Sequence, residues 1–507
     1  MKNTIKFMIG LLAIGLVSCE PEFENAVTDE GFYDAGDADF SNYVSLGNSL
    51  TAGYADGALY RSGQEDSYPN IMAEQFGFVG GGDFTQPLTS DNLGGLLLGG
   101  QQILGNRLVL SADENGNPFP APLAGTPTTD VTTSATGPFN NMGVPGAKSY
   151  HLVTPGYGSV AGVANGTANP WYARFATSES STVLADAASL NPTFFSLWIG
   201  NNDILGYATS GGSGVDQTGN LDPSTYGGND ITDPNVFAAA YSAQVDALVA
   251  GGAKGVLLNI PDVTSIPYFT TVPPRSIPLD AATAGAVNAQ FALYNGALGQ
   301  LVAGGFISPE EAAIRAINFV EGVNYPIMTD VDLTDVTVIL IGAGLDSETA
   351  ALLGQLRQVK SDDLVVLTAS SVLGTVPDPS NPLGIVGVSI PLTNQFVLTS
   401  TEQDRVATAG AAYNAIIEGL AAANELGYGD MKSALSEVAA NGAFYNGGVL
   451  TSTYVTGGAF SLDGVHPTPR GYAFTANTII DVINTTYNAS IPKVDIGTYG
   501  TVTLHNN

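Results

Sequence analysis

Residues 43–53 read YVSLGNSLTAG, an apolar run that ends at a serine flanked by glycines. Tyr43–Leu46 has the composition of a β-strand. Gly47 and Gly53 permit a sharp backbone turn on either side of Ser49. A nucleophilic serine needs this setting, because its hydroxyl must be exposed at a rigid strand end beside free backbone N–H groups. The stretch differs from the Gly-x-Ser-x-Gly elbow, since threonine replaces the second glycine. Taken alone, it also fits an ordinary turn.

The N-terminus has the features of a bacterial lipoprotein signal. Two lysines precede the apolar stretch Phe7–Val17, which is too short to span a bilayer because a spanning helix needs about 20 residues. The stretch leads into LVSC, residues 16–19, which resembles the lipobox that directs lipidation of a cysteine. We therefore predict a signal peptide at residues 1–18 and a lipid anchor at Cys19. The alternative is an ordinary secreted protein in which this cysteine has no role.

Residues 19–40 are acidic and poor in large apolar side chains, which predicts a solvated tether between the anchor and the folded domain. Acidic residues directly after a lipidated cysteine also resemble surface-export signals of some diderm bacteria. We expect the protein in the cell envelope, lipid-anchored in the outer membrane of a diderm bacterium. Cys19 is the only cysteine, so no intramolecular disulfide can form.

The chain is strongly acidic. Its 507 residues include 47 acidic and 15 basic side chains, for a net charge of −32 at pH 7. This charge repels nucleic-acid phosphates and anionic lipid headgroups, so we expect no nucleic-acid partner and no electrostatic adsorption to membranes. No linker is evident after residue 40. We therefore expect one domain over residues 41–491 and a short C-terminal tail at residues 492–507.

Strands and helices alternate along the chain. Apolar runs at residues 192–199 and 255–261 predict buried strands. Between them, Asp233 and Pro234 predict the start of a helix, through side-chain capping and a preset φ. This succession of helix, short loop and strand is typical of an α/β fold with a parallel sheet.

Two longer helices are predicted at residues 286–302 and 404–424. They share an Ala-x-Tyr-Asn sequence, and we expect both to pack on the same sheet. Between them, residues 336–341 and 364–369 have the composition of strands. Earlier in the chain, the glycine-rich apolar segment 93–100 allows two interpretations: a lid or acyl groove, or a packed loop.

Polar side chains directly follow the strand predicted at residues 192–199. Gly200–Asp203 contains two asparagines and an aspartate, and in open α/β sheets ligands bind at the carboxyl ends of strands. The loop Asn140–Ala147 contains glycine and proline, which keep its backbone N–H groups out of a ladder. The segment Gly200–Asp203 also fits a turn with Asx side chains.

The chain has three histidines, and one of them has a nearby acid. His505 lies close to the C-terminus, and His151 has no acid within three residues. His466 follows Asp463 on one short loop with two prolines after it. An acid that orients a histidine base is the second half of a serine hydrolase mechanism. The same pair could also form a loop hydrogen bond or half of a metal site, although no other histidines cluster near it to support zinc.

Four separated motifs, in the same order, resemble those of the SGNH or GDSL hydrolase superfamily. They are Gly47-Asn48-Ser49-Leu50, Asn141 with Gly146 five residues on, Gly200-Asn201-Asn202-Asp203, and Asp463-Gly464-Val465-His466. The resemblance extends over about residues 41–491. It is nearest to the large GDSL-type lipoproteins of diderm bacteria.

The resemblance implies a three-layer α/β/α sandwich of flavodoxin-like type, with a parallel sheet of about five strands. It implies that Ser49 attacks an ester carbonyl, that His466 is the general base and then the general acid, and that Asp463 orients His466. The backbone N–H groups of Ser49 and Gly146 and the side-chain amide of Asn202 would form the oxyanion hole. An acyl-serine intermediate would be hydrolysed by water, with no metal and no organic cofactor.

The chain departs from the family pattern in two places. Asn48 replaces the usual aspartate before the serine, and an amide of the same shape should be tolerated there. The chain between Ser49 and His466 is also far longer than in compact members, which implies insertions near residues 80–137 and 305–400. These insertions could build the substrate pocket.

Three functions remain open at this point. The first is a serine esterase or lipase acting on carboxylic esters of acyl lipids. The second is a carbohydrate O-acetylesterase of the same superfamily, with acylated carbohydrate as the substrate. The third is a non-catalytic envelope lipoprotein that uses the fold for binding, against which the intact set of serine, glycine, asparagine, aspartate and histidine argues.

Overall fold

The computed structural model describes residues 32–505. The predicted signal peptide, Cys19 and the first part of the tether lie outside this range. The last part of the predicted tether is not solvated as expected. The Asp37 N–H donates to the Tyr487 carbonyl over 2.7 Å, and Phe40 is buried, so the folded domain begins before residue 40.

Five parallel strands form the central sheet. They are β1 (Tyr43–Gly47), β2 (Asn141–Gly143), β3 (Phe194–Trp198), β4 (Lys254–Leu258) and β5 (Gly427–Gly429). Their order across the sheet is β2-β1-β3-β4-β5, and every neighbouring pair is parallel. This order is one of the two common orders of doubly wound α/β folds. The predicted α/β class and parallel sheet of about five strands are therefore confirmed.

Alternate side chains of each strand enter cores on opposite faces of the sheet. Val44 and Phe195 belong to one hydrophobic cluster, whereas Tyr43 and Phe194 belong to another. Because side-chain direction alternates along a strand, a sheet with both faces buried must be apolar at successive positions. The apolar runs in the sequence reflect this burial.

Helices cover both faces. The helices named below, not all of which contact the sheet, are α1 (Ser49–Ala52), α2 (Tyr68–Phe76), α3 (Val183–Ser189), α4 (Asn202–Thr209), α5 (Pro234–Val249), α6 (Ala281–Ala303), α7 (Ser400–Ala423), α8 (Met431–Ala440) and α9 (Pro469–Tyr487). Helices α2 and α9 pack on one face, and α3, α5 and α7 pack on the other. The Asp233 side chain caps α5 as predicted, by accepting from the N–H groups of Asn235 and Val236. Shorter helices lie at Arg61–Glu65, Val160–Val163 and Pro267–Thr270.

The first predicted insertion, residues 80–137, is built from short strands. They lie at Leu96–Leu98, Gln101–Leu104, Leu108–Ala112, Pro118–Pro122 and Thr129–Asp130. Leu96 is fully buried against Leu59, Val131 and Trp171. The segment 93–100 is therefore a packed structure, the second of its two interpretations.

The second insertion has a hydrophobic core of its own, which extends from Ile277 to Val388 and so begins before residue 305. Helix α6 supplies much of this core, so the prediction that it packs on the central sheet is wrong. The other elements are helices Pro309–Arg315, Thr337–Gly342 and Ser347–Gly354 and strands Ile277–Leu279, Gly322–Asn324, Ile327–Thr329, Leu356–Gln358, Leu364–Val365 and Val397–Leu398.

The strand predicted at residues 336–341 is wrong, because Thr337–Gly342 is a helix. Val336 and Leu340 are buried in the second-insertion core, whereas Val338 is 79% exposed. In a strand these three side chains would share a face, but burial at a spacing of four matches a helix. At residues 364–369, strand structure stops after Val365 and a 3₁₀ turn follows.

Among residues 32–505, helix α7 is the one helix whose length and composition would allow it to cross a membrane. One face of α7, with Val406, Tyr413 and Ile417, is buried in the core against the sheet. The Tyr413 ring stacks on Phe237 of α5 at 4.2 Å between ring centroids. This packing is that of a covering helix of an α/β domain.

Candidate active site

Three of the predicted site residues come from one edge of the central sheet, whereas Asp463 and His466 lie on the loop before α9. Ser49 follows β1, Gly146 follows β2, and Asn202 follows β3. Because the strands are parallel, all three segments leave the sheet at its carboxyl edge, with Ser49 between the other two. The order β2-β1-β3 reverses direction between β1 and β3, which is the place where open α/β sheets form a crevice for ligands.

Local structure presents Ser49 at the start of a short helix. The Asn48 side chain caps α1 by accepting from the Leu50 N–H over 3.0 Å, and Gly53 ends the helix with φ +80°. Gly47 has no space for a side chain, because a Cβ there would lie 2.4 Å from the Trp198 carbonyl oxygen. Strand β1 therefore approaches β3 closely at the serine. Gly53 adopts a turn conformation as predicted, whereas Gly47 lies in the strand and is needed for this close approach, not for a turn.

Ser49, His466 and Asp463 form a continuous hydrogen-bonded chain. The distance from Ser49 Oγ to His466 Nε2 is 2.9 Å, and that from His466 Nδ1 to Asp463 Oδ2 is 2.8 Å. Ser49 and His466 are 417 positions apart in the sequence. The side chains of His466 and Asp463 are each only 14% exposed, so the chain of hydrogen bonds is largely shielded from water.

The Asp463 carboxylate determines which nitrogen of His466 carries a proton. Burial acts to raise the pKa of Asp463, but the charge of His466 and hydrogen bonds from the loop outweigh it and lower the pKa to about 2. An ionised carboxylate can only accept, so His466 Nδ1 donates to it. Nε2 is then free to accept the proton of Ser49, which is the arrangement a general base needs.

Backbone and side-chain N–H groups are available beside Ser49. Within residues 32–505, the N–H groups of Ser49 and Gly146 donate to no other protein group, and Gly146 has φ +80°. Asn202 Nδ2 donates one proton to the Ala147 carbonyl over 2.9 Å, which ties α4 to the Gly146 loop. Asn202 lines the same pocket as Ser49, and within residues 32–505 its side-chain amide donates to no protein group other than the Ala147 carbonyl.

Asp203 fixes the loop that carries Gly146. Its carboxylate is fully buried and accepts from both the backbone N–H and the hydroxyl of Ser149, over 2.8 and 2.7 Å. Burial raises the pKa of Asp203, although these hydrogen bonds oppose the shift. The aspartate that follows Asn202 in the sequence thus supports the loop after β2.

An apolar pocket opens beside Ser49 and His466, and its empty volume of about 830 Å³ includes the solvent at its open mouth. Its walls include Leu205, Val263, Ile266, Leu435, Val438 and Phe474. His466 is the one titratable side chain among the described residues that line it. No residue of 80–137 or 305–400 lines it, so the expectation that these insertions build the pocket is wrong.

The pocket walls were missed by the sequence analysis. Helix α8 contributes Met431, Leu435 and Val438, which lie on one face because their spacing is four and three. Asp430 caps this helix by accepting from the Ser433 N–H over 3.0 Å. The cap and the spacing together are a sequence signal from which α8 could have been predicted.

The other two histidines lie outside the site. His151 Nδ1 accepts from the Lys148 N–H over 3.0 Å, and burial lowers the pKa of His151 to about 3. His151 is therefore a neutral structural residue, and its ring stacks on Tyr157. His505 is exposed at the C-terminal end of the described range. Residues 32–505 contain no cluster of three or more histidine, cysteine or acidic side chains suited to a metal ion.

Comparisons with known proteins add no relatives. No protein-family model matches the chain, and searches of the curated proteins and of the solved structures return no match.

Proposed function

We propose that the protein is a serine hydrolase of the SGNH type that cleaves carboxylic esters. The hydrogen-bonded chain from Ser49 through His466 to Asp463 carries this proposal. The strand order, the four sequence motifs in their expected order and the helices on both faces of the sheet fit the three-layer sandwich of that superfamily. A structural role alone would not require a serine hydroxyl hydrogen-bonded to an oriented imidazole.

In the proposed reaction, Ser49 Oγ attacks the ester carbonyl while His466 Nε2 takes its proton. The charge that develops on the carbonyl oxygen is stabilised by the N–H groups of Ser49, Gly146 and Asn202, and a single such donor is worth about 3 kcal/mol. His466 then donates its proton to the leaving alkoxide, which departs as an alcohol. Water, activated by His466, attacks the acyl-serine and releases the carboxylic acid.

The pocket favours esters of acyl chains over acetyl esters. An acetyl group would leave most of the apolar walls of this pocket in contact with water, whereas a longer chain would bury its methylene groups at about 0.8 kcal/mol each. The absence of charged groups among the described lining residues also suits a hydrocarbon chain. A lipid or lipid-like ester is therefore the proposed substrate class, and a carbohydrate O-acetyl ester is the less favoured one.

Activity-based labelling tests the nucleophile. We expect the full chain to react with a fluorophosphonate probe, and Ser49→Ala to abolish both labelling and hydrolysis of p-nitrophenyl esters. Ser178→Ala removes an exposed serine elsewhere and should label normally. Asn202→Ala should retain labelling but lower kcat by about 10²- to 10³-fold, because one oxyanion donor is lost.

Two results would contradict the proposal. Equal labelling of the parent and Ser49→Ala would place the nucleophile elsewhere. Failure of the folded parent to label or to hydrolyse any ester in a chain-length series would favour the non-catalytic binding lipoprotein.

A further inference from the structure

A tight turn at residues 55–58 lies against the loop that carries Asp463. Ala55 and Ala58 exchange backbone hydrogen bonds of 3.1 and 3.0 Å, and the two residues between them have positive φ, 54° at Asp56 and 75° at Gly57. These are the features of a type I′ turn, for which Asp-Gly is a preferred dipeptide. The backbone N–H groups of its two central residues are thereby free to bind a neighbouring loop.

The tip of this turn holds three successive residues of the catalytic loop. The Gly57 N–H donates over 2.9 Å to Asp463 Oδ2, the oxygen that also accepts from His466. The Asp56 N–H donates to Ser461 Oγ over 2.9 Å, and Asp56 Oδ1 accepts from the Leu462 N–H over 3.1 Å. The position of the Asp463 carboxylate thus depends on a segment that precedes it by more than 400 residues.

Behind the turn, Asp56 meets a cation from the first insertion. Asp56 is 3% exposed, its Oδ2 accepts from the Tyr60 hydroxyl over 3.0 Å, and Arg107 Nη1 lies 3.7 Å away. The Arg107 guanidinium also lies over the Tyr60 ring, 4.6 Å from its centroid. The Leu108 N–H donates to the Asp56 carbonyl over 2.8 Å. Residues 80–137 therefore reach the active site through Asp56 even though they do not line the pocket.

The other titratable groups around this loop are tyrosines. The Tyr54 ring lies 4.7 Å from that of His466. The four tyrosines that face the two carboxylates are neutral at physiological pH, because the ordinary tyrosine pKa of about 10 lies well above it and burial raises the pKa of each further. They are Tyr54, Tyr60, Tyr454 and Tyr472. Burial also raises the pKa of Asp56, and the Arg107 charge opposes that shift. The charged neighbours of the His466–Asp463 pair are thus Asp56 and Arg107.

We propose that Asp56 and Arg107 are positioning residues. Asp56 holds the Asp463 loop in place, and the charge of Arg107 compensates the Asp56 carboxylate, which is the second carboxylate near the catalytic base. This inference rests on the proposed hydrolase function. Without Arg107, the charge of Asp56 would favour protonated His466. As the pH falls, His466 would then become protonated, and inactive as a base, at a higher pH than in the parent. Without the charge of Asp56, the uncompensated Arg107 would disfavour protonated His466, and the base would persist to a lower pH.

The test is the acidic limb of the pH profile of kcat/KM for a p-nitrophenyl ester, measured on the full chain. We expect Arg107→Met to move the half-activity pH upward by about 0.5 unit and Asp56→Asn to move it downward by a similar amount, as expected for partly screened charges. The double variant should lie close to the parent. Arg107→Lys, which retains the positive charge, should have the same half-activity pH as the parent.

A purely structural role predicts a different pattern. Loss of kcat in both variants with no movement of the limb, or movement in the same direction, would overturn the proposal. If Asp56→Asn does not fold, Arg107→Met and Arg107→Lys still decide, because the charge model requires the limb to shift in the first and not in the second. Ser49→Ala run in parallel separates the two proposals, since hydrolysis that persists in that variant would refute the hydrolase function itself.

Discussion

Asp463 is the most heavily constrained side chain of the candidate site. Its two oxygens accept from the Ser461 hydroxyl, the Val465 and Gly57 N–H groups, and both the backbone and the ring N–H of His466. Charge-assisted hydrogen bonds of this kind favour the ionised form of a buried carboxylate over the neutral one. The same contacts that orient His466 therefore also stabilise the folded loop.

This constraint predicts a pH-dependent contribution to stability. Because the folded-state pKa of Asp463 is about 2, below its usual 3.8, its contribution is fully present above about pH 4 and is lost as the pH falls toward 2. The difference in unfolding free energy between the parent and Asp463→Asn should be about 2 kcal/mol near neutral pH and should shrink below about pH 4. Urea denaturation across this range measures it, and a difference that does not vary with pH would contradict the assignment.

Asn48 shows why an amide suits the position where the resembling family usually has aspartate. Its Oδ1 caps α1 at the Leu50 N–H, and its Nδ2 donates to Asn201 Oδ1 over 3.1 Å. A carboxylate could cap the helix but could not donate to Asn201. The substitution thus forms a link between the ends of β1 and β3, at the base of the pocket.

Among the secondary structure elements, the two Ala-x-Tyr-Asn helices serve different cores by the same contacts. In α7, the Asn414 side chain accepts from the backbone N–H of Ile260 and donates to its carbonyl. In α6, the Asn295 side chain makes the same two hydrogen bonds with Ile317. The tyrosine before each asparagine donates its hydroxyl to a backbone carbonyl. A shared sequence therefore indicated a shared local contact, but it carried no information about which core each helix joins.

Helix α8 should determine acyl-chain preference, because it forms one wall of the pocket. Ala434 lines the pocket and is only partly buried, so a larger side chain there can occupy pocket space without displacing the core. We expect Ala434→Phe to lower kcat/KM for octanoyl esters at least about tenfold while acetyl esters change little, since the lost burial of two or three methylenes accounts for that factor. A p-nitrophenyl ester series measures the preference.

The matched control for this experiment lies on the opposite face of the same helix. Ser436 is exposed and does not line the pocket, so Ser436→Phe should leave the chain-length profile unchanged. Identical profiles for Ala434→Phe and the parent would mean that the acyl chain binds elsewhere.

At the scale of the whole molecule, the negative charge of the chain lies outside the apolar pocket. The chain has a net charge of −32, yet the described pocket lining contains no acidic or basic side chain other than His466. Electrostatic attraction to an anionic membrane cannot hold such a chain near lipid. A covalent lipid at Cys19 would supply the proximity that the surface charge opposes.

The lipid anchor is tested by metabolic labelling. We expect a clickable palmitate analogue to label the full chain expressed in a diderm host and to be absent from Cys19→Ser, which should also move from the membrane to the soluble fraction. The reason is that Cys19 is the only cysteine of the chain and follows a short apolar stretch. Equal labelling of the parent and Cys19→Ser, or no labelling of either, would contradict the predicted anchor.

Local sequence was sufficient to predict an element of secondary structure where one interaction determines that element. Strands β3 and β4 could be predicted because burial on both faces requires continuous apolar runs, and the start of α5 because Asp233 and Pro234 act within one turn. Residues 336–341 were misassigned because β-branched composition favours a strand, whereas the insertion core buries Val336 and Leu340 at helical spacing. Composition alone could not indicate that core.

The sequence by itself determined the chemical groups of the site and the α/β rhythm, because each depends on residues close together along the chain. Tertiary structure alone decided that Ser49 meets His466 across 417 positions, since contacts between the turn at residues 55–58 and the Asp463 loop bring the two segments together. It also decided the pocket, whose walls come from segments at residues 48–50, 198–205, 261–266 and 431–475. Contacts between distant segments follow from how the elements pack, and no local pattern encodes that packing.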